Sequence, residues 1–192
     1  MEALKEAIRN EGEAIGTGIV KVDGFLNHRI DVALSRKMGQ AFYEAFKDDG
    51  VDCILTIEAS GIAVAMMTAQ AFGDIPMVFA KKGDHSNIGN DVYTAEVYSF
   101  THNKMNTIRV SKKYLQPGLR VLIIDDFLAN GAALLGLTQI IEEAGCTLVG
   151  AGICVEKGFQ PGGARLRGNG LKVVSLAIVD AVENGKVFLR NE

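Results

Sequence analysis

The 192 residues include no tryptophan, only three prolines, three cysteines and three histidines, and no surplus of positive charge. Each scarcity removes a class of function. Cys53, Cys146 and Cys154 lie in or beside apolar runs without CxxC spacing, which favours buried reduced thiols over a disulfide framework or a zinc site. His28, His85 and His102 stand in no constellation with serine or cysteine, so none is assigned to catalysis. The formal net charge of −3 argues against a broad electrostatic grip on nucleic acid, which needs clustered, uncompensated Lys and Arg. No segment approaches the apolar length that spans a bilayer, and the opening MEALKEAIRNEGE is too charged for a secretory signal, so a cytoplasmic protein is expected.

Apolar residues are abundant, at 48% of the chain. A chain of this length buries roughly 70% of the surface its unfolded form exposes, so one core is expected. A single domain over residues 1–192 follows, without internal repeat, low-complexity tract or linker.

Leu4 and Ile8 fall at helical spacing within residues 2–11, residues 19–22 read as a short extended piece, and 24–28 as a loop. Asp31 is placed to cap a helix in which Leu34, Met38, Ala41, Phe42, Ala45 and Phe46 recur on one face until Asp48, Asp49 and Gly50 end it. Residues 51–57 form a near-continuous apolar run, followed by a turn at 58–61, an apolar helix ending near Gly73 and a strand at 76–80. Together they predict a parallel βαβ unit with a right-handed crossover. The polar stretch 81–91 is either a mobile lid or a solvated loop, and 92–100 with 107–110 predict a hairpin-like excursion off the sheet. After Pro117-Gly118 come a strand at 119–125, a helix at 131–144, a strand at 147–155, a loop at 156–163, and strand-like pieces at 171–178 and 186–189. Strands alternating with helices predict an α/β fold with a mainly parallel sheet flanked by helices.

The chemistry concentrates where Val121 to Ile124 run into Asp125 and Asp126, five residues before Gly131 opens an apolar helix. The carboxyl ends of parallel strands face ligand crevices, and a helix starting near Gly131 offers unpaired N–H groups to a phosphate. Asp125 and Asp126 would repel that phosphate but suit ribose hydroxyls or a bound Mg²⁺. The plainer alternative is that the two carboxylates merely end a strand and Gly131 relaxes a helix start. GxxxxGK[ST] and GxGxxG are both absent, so an ATPase or dinucleotide reading lacks its fingerprint. The turns after Ile57, Ile124 and Val155 meet at one edge if their strands are parallel, giving a composite pocket.

Residues 121–133, VLIIDDFLANGAA, resemble the phosphoribosyl-pyrophosphate signature of the type I phosphoribosyltransferases. MEALKEAI at the start, KVDGFLNHRID at 21–31, TIEASGIA at 56–63, IIDDFLANG at 123–131 and EKGFQPG at 156–162 extend the resemblance, toward the bacterial xanthine phosphoribosyltransferases, over nearly the whole chain. The resemblance implies a small base-binding hood built from residues 1–30 and about 156–192, a polar flexible loop or hairpin, and a homodimer. It implies transfer of the phosphoribosyl group of 5-phosphoribosyl 1-pyrophosphate to N9 of xanthine in purine salvage. On that pattern Ala129, Asn130, Gly131, Ala132 and Ala133 hold the 5′-phosphate, and Asp125 and Asp126 contact the ribose. Ser60 and Gly61 approach the pyrophosphate with Lys81 or Lys82 as counter-charge, while Glu58 either joins them or organises its loop. Val20, Asn27, Lys157 and Phe159 meet the purine. Mg²⁺ is expected to ride on the pyrophosphate, with no side chain assigned to it.

Many members of the family have Thr or Ser where this chain has Asn130 and Ala133, so the loop depends more on its backbone N–H groups, with the Asn130 amide as an extra donor. Without the resemblance, Lys157 reads as a solvated lysine, Asn27 as an ordinary turn residue and Lys81-Lys82 as an exposed pair. Two alternatives stand beside xanthine transfer. One is a guanine or hypoxanthine phosphoribosyltransferase; the other is a non-catalytic regulator sensing phosphoribosyl pyrophosphate, which usually has a basic nucleic-acid face or appended domain that this sequence lacks.

Overall fold

In the computed structural model, residues 1–83, 89, 91–99 and 104–191 are described. Their centre is an eight-stranded sheet. Its strands are β3 (Cys53–Ile57), β4 (Met77–Lys82), β5 (Val92–Ser99), β6 (Lys104–Ser111), β7 (Arg120–Leu128), β8 (Thr147–Lys157), β9 (Val173–Glu183) and β10 (Lys186–Leu189), in the order β10-β9-β8-β7-β3-β4-β6-β5. The five inner strands, β9 to β4, pair in parallel, and β10, β6 and β5 join antiparallel at the two edges. A separate ribbon pairs β1 (Glu13–Ile15) with β2 (Ile19–Lys21).

The near-continuous apolar runs are strands buried on both faces. Alternate residues of each run serve different cores. Ile54, Leu122 and Ile124 pack with Phe42 and Phe46 of α2 (Val32–Phe46), Val64 of α3 (Gly61–Ala71) and Leu4 and Ile8 of α1 (Glu2–Glu11). Leu55, Val121 and Ile123 pack on the other face with Leu134, Leu137 and Ile140 of α4 (Ala132–Glu143). Asp31 caps α2 as expected, its Oδ1 accepting the Leu34 N–H at 2.9 Å.

Four local expectations differ from the fold. The strand thought to end at residue 125 runs to Leu128, because β8 keeps pairing with it at Phe127↔Val155 and Leu128↔Glu156. Both aspartates are therefore strand residues. The hairpin β5-β6 does not leave the sheet but extends it, through Lys81↔Arg109 and Lys82↔Ile108 between β4 and β6. Residues Asp23–Asn27 form one π-helical turn where a loop was expected, and a short helix, α5 (Gly162–Gly168), follows the Gly-Pro-rich loop after β8. Much of the polar stretch 81–91, including His85, lies outside the described residues, as does His102, between β5 and β6 in sequence.

The two ends of the chain pack together. The Met1 amino group donates to the Leu176 carbonyl of β9, and the Lys5 ammonium reaches the Arg190 carbonyl at 3.2 Å. No helix of the described residues is long and apolar enough to cross a membrane.

Candidate active site

Parallel pairing of β4, β3, β7 and β8 puts their carboxyl ends on one edge, and the turns leaving them converge there. A cavity of about 350 Å³ opens at that edge. Ser60 and Lys82 line one side, Asp125 and Asp126 the floor, and Ala129 to Ala133 the far end, while Val97, Tyr98, Asn106 and Ile108 of the β5-β6 hairpin complete the wall. Asp126 and Ala132 thus share one cavity.

Both aspartates are buried. The Asp126 N–H donates to Asp125 Oδ1 at 3.0 Å. Burial first, and the neighbouring Asp126 charge second, hold the Asp125 carboxyl well above the usual carboxylate range, with the Lys82 charge acting in the opposite direction. Asp126 Oδ2 accepts from the Asn27 side-chain amide at 3.2 Å, which ties the π-helical turn to the cavity floor.

At the far end, Gly131 has φ +88°, a left-handed conformation that glycine adopts without steric cost, and α4 starts at the next residue. The first residues of α4, Ala132 to Leu134, line the same cavity and bring the positive end of the helix dipole to it. Asn130 turns its amide oxygen back onto the Ala132 N–H at 2.9 Å, leaving its NH₂ as the side-chain donor. Behind the loop, the Gly162 N–H donates to the Ala129 carbonyl at 3.1 Å, and a Cβ on Gly162 would lie 2.3 Å from that oxygen. Only glycine fits that approach.

Strand alternation separates the two lysines of β4. Lys82 lines the cavity; Lys81 lines a second space of about 520 Å³ with Arg109, Lys113 and Tyr114. Gly61 does not line the cavity but adjoins its floor, since a Cβ there would stand 3.1 Å from Asp125 Oδ1. Glu58 accepts the Lys82 N–H at 2.6 Å, which ties the turn after β3 to the end of β4.

Val20, Asn27, Lys157 and Phe159 lie outside the cavity lining; Asn27 reaches it through Asp126 and Lys157 through Phe127, which belong to it. Val20 is a core residue. The Lys157 ammonium donates to the Gly18 carbonyl at 2.9 Å and sits 5.9 Å from the Phe127 ring centroid. Burial lowers its pKa from the ordinary lysine value. Phe159 is 38% exposed, an apolar ring open to a ligand.

Sequence reasoning missed the hairpin wall and a buried cluster beside Lys157. Glu156 accepts two hydrogen bonds from Arg167, at 2.8 and 2.7 Å, and a third from the Ser175 hydroxyl. Burial alone would raise the Glu156 pKa, but the Arg167 and Ser175 hydrogen bonds overcome it and the net direction is down. A lowered folded pKa contributes stability that is present above the ordinary carboxylate value and lost as pH falls through the folded one. Arg167→Ala leaves a buried carboxylate with one donor, and is expected to destabilise the fold by about 3 kcal/mol at neutral pH, the partly open guanidinium keeping the loss at the low end for such pairs. Urea unfolding at pH 7 and pH 4 checks it: the difference from the parent should shrink at the lower pH. Its sequence signal is faint, a Glu and an Arg eleven residues apart across a glycine-rich loop.

A family model described as the phosphoribosyl transferase domain matches residues 26–179. The chain is 52% identical over 190 residues to a xanthine phosphoribosyltransferase of Clostridioides difficile (strain 630), covering 99% of this chain and all of that protein. It is 53% identical over 187 residues to one from Ruminiclostridium cellulolyticum, covering 97% of this chain and 98% of that one. Among solved structures, it is similar in fold to the adenine phosphoribosyltransferase of Giardia lamblia complexed with 9-deazaadenine, with a TM-score of 0.76 at 21% identity, over 91% of this chain and 96% of that one. The adenine phosphoribosyltransferase of Rhodothermus marinus gives a TM-score of 0.74 at 21% identity, over 93% of this chain and all of that one.

Proposed function

The chain belongs to the phosphoribosyl transferase family, and from that premise we propose that it transfers the 5-phosphoribosyl group of 5-phosphoribosyl 1-pyrophosphate to N9 of xanthine, releasing pyrophosphate and xanthosine 5′-monophosphate. The observation that carries this reading is that one cavity is lined together by a carboxylate pair, a helix-start loop, Ser60 and Lys82. The choice of xanthine follows the relatives matched over nearly their full length, which are xanthine phosphoribosyltransferases.

Breaking the bond from C1 of the sugar to pyrophosphate develops positive charge on the ribose and negative charge on the leaving group. Asp125 and Asp126 accept from the ribose hydroxyls and stabilise the positive sugar, while the backbone N–H groups of residues 129–133 anchor the 5′-phosphate. Ser60 and Lys82 face the leaving diphosphate, Lys82 being favoured over Lys81 by its side of the strand. Lys157 and Asn27 donate to the purine carbonyls, and Val20 and Phe159 supply apolar contact. Holding N9 in line with C1 converts a bimolecular encounter into a local one.

No group of three His, Cys, Asp or Glu among the described residues is arranged to hold a metal by itself. Mg²⁺ usually keeps its waters and binds phosphate oxygens with at most one or two carboxylates, so the donors present fit an ion carried by the diphosphate. When bound, it would neutralise charge on the leaving group. We place the enzyme in the cytoplasm as a homodimer, one domain whose two ends, residues 1–30 and about 156–192, form the hood over the base.

The test is pyrophosphate release with Mg²⁺, phosphoribosyl pyrophosphate and each of xanthine, guanine, hypoxanthine and adenine. Xanthine is expected to give the highest kcat/KM and adenine the lowest. A higher value for guanine or hypoxanthine would reassign the base, and binding of the sugar donor with no turnover on any base would favour a sensing regulator.

A further inference from the structure

Arg165 lies on α5, outside the cavity lining, yet its guanidinium Nη2 donates to the Asn130 carbonyl at 2.9 Å. We propose that Arg165 is a positioning residue for the 5′-phosphate, orienting the Asn130-Gly131 peptide of the phosphate loop; the proposal rests on the phosphoribosyltransferase reading. A trans peptide is planar with its C=O and N–H pointing in opposite directions, so fixing the carbonyl on Arg165 behind the loop fixes the Gly131 N–H on the other side. The preceding peptide is held in the same way, its Ala129 carbonyl accepting the Gly162 N–H at 3.1 Å. Two successive peptides of the loop are therefore anchored from α5. The second most needs the anchor, because Gly131 at φ +88° tolerates either sign of φ and leaves that peptide free to rotate. The loop also has alanine at 132 and 133, so no hydroxyl there can replace a misdirected backbone donor.

Ribose 5-phosphate carries the 5′-phosphate without the diphosphate, and Mg²⁺-pyrophosphate carries the reverse, so the pair separates the two ends of the cavity. In Arg165→Ala, the affinity for ribose 5-phosphate by calorimetry and the KM for phosphoribosyl pyrophosphate should both worsen about tenfold, as for loss of one charge-assisted hydrogen bond. Affinity for Mg²⁺-pyrophosphate and the KM for xanthine should stay within about twofold, and Arg165→Lys should recover part of the loss. Unchanged ribose 5-phosphate affinity in Arg165→Ala would overturn the proposal, as would equal weakening of pyrophosphate, which marks a general disturbance of the site. Failure of the underlying reading has a separate signature: the unsubstituted protein would bind no ribose 5-phosphate and turn over no base.

Discussion

Replacing both Asp125 and Asp126 by asparagine is expected to lower kcat for pyrophosphate release by roughly 10²–10³-fold or more, the scale on which one preorganised electrostatic partner of a transition state acts. The same substitution should make the unliganded protein more resistant to heat at neutral pH. Asp125 is buried, its carboxyl is held well above the usual range by that burial and by Asp126, and it accepts the Asp126 N–H. A raised folded pKa contributes stability that is full below the ordinary carboxylate value and lost as pH rises through the folded one, so the wild-type site becomes less favourable as pH rises above the ordinary carboxylate range. An asparagine at 125 keeps the acceptor oxygen and removes the charge. Each kcal/mol relieved corresponds to roughly 2–4 °C in Tm for a protein of this size. Melting curves at pH 5 and pH 8 should show the variant's advantage growing with pH. A variant that melts lower than wild type at both pH values would show that the carboxylates serve the fold, and one that keeps near-normal turnover would remove them from the ribose.

That opposition between stability and activity at one residue pair helps explain why the site could be found in the sequence. Parallel strands buried on both faces are long apolar runs, and a run that stops at two carboxylates stands out because burying them is unfavourable without a use. The apolar runs of β3, β7 and β8, the Asp31 cap and the loop at Gly131 are all local patterns of that type. What the sequence left open depends on pairing between distant segments. The β5-β6 hairpin joins the sheet through β4, and no local feature of residues 92–111 specifies that partner. The choice between Lys81 and Lys82 depends on which face of β4 meets the cavity, a matter of register. Helix α5 has two glycines in its first turn, which weigh against a helix by propensity. Gly162 is there because the Ala129 carbonyl leaves no room for a Cβ, a tertiary constraint invisible at the level of composition.

Lys157→Met should lower kcat/KM for xanthine by about 10–100-fold, the value of a hydrogen bond to a charged donor, while keeping the length of the side chain over Phe127. Because the ammonium is proposed to meet the base alone, ribose 5-phosphate affinity should be unchanged, which separates this effect from loss of the phosphate loop. The pH profile gives a second readout. Burial lowers the Lys157 pKa, so its ammonium loses its proton at a lower pH than an ordinary lysine, and the wild-type rate should fall on the alkaline side where the methionine variant shows no such limb. Stability moves with the opposite sign: a depressed folded pKa contributes stability present above the ordinary lysine value and lost as pH falls through the folded one, so the protonated, half-buried ammonium that serves the base also weighs on the fold. The Gly18 carbonyl, 2.9 Å from the ammonium, partners that charge in the unliganded protein, and a purine carbonyl must displace or share it. A methionine variant that retains wild-type kcat/KM for xanthine and the same alkaline limb would take Lys157 out of the base site and leave the choice of purine to Asn27 and the backbone around it.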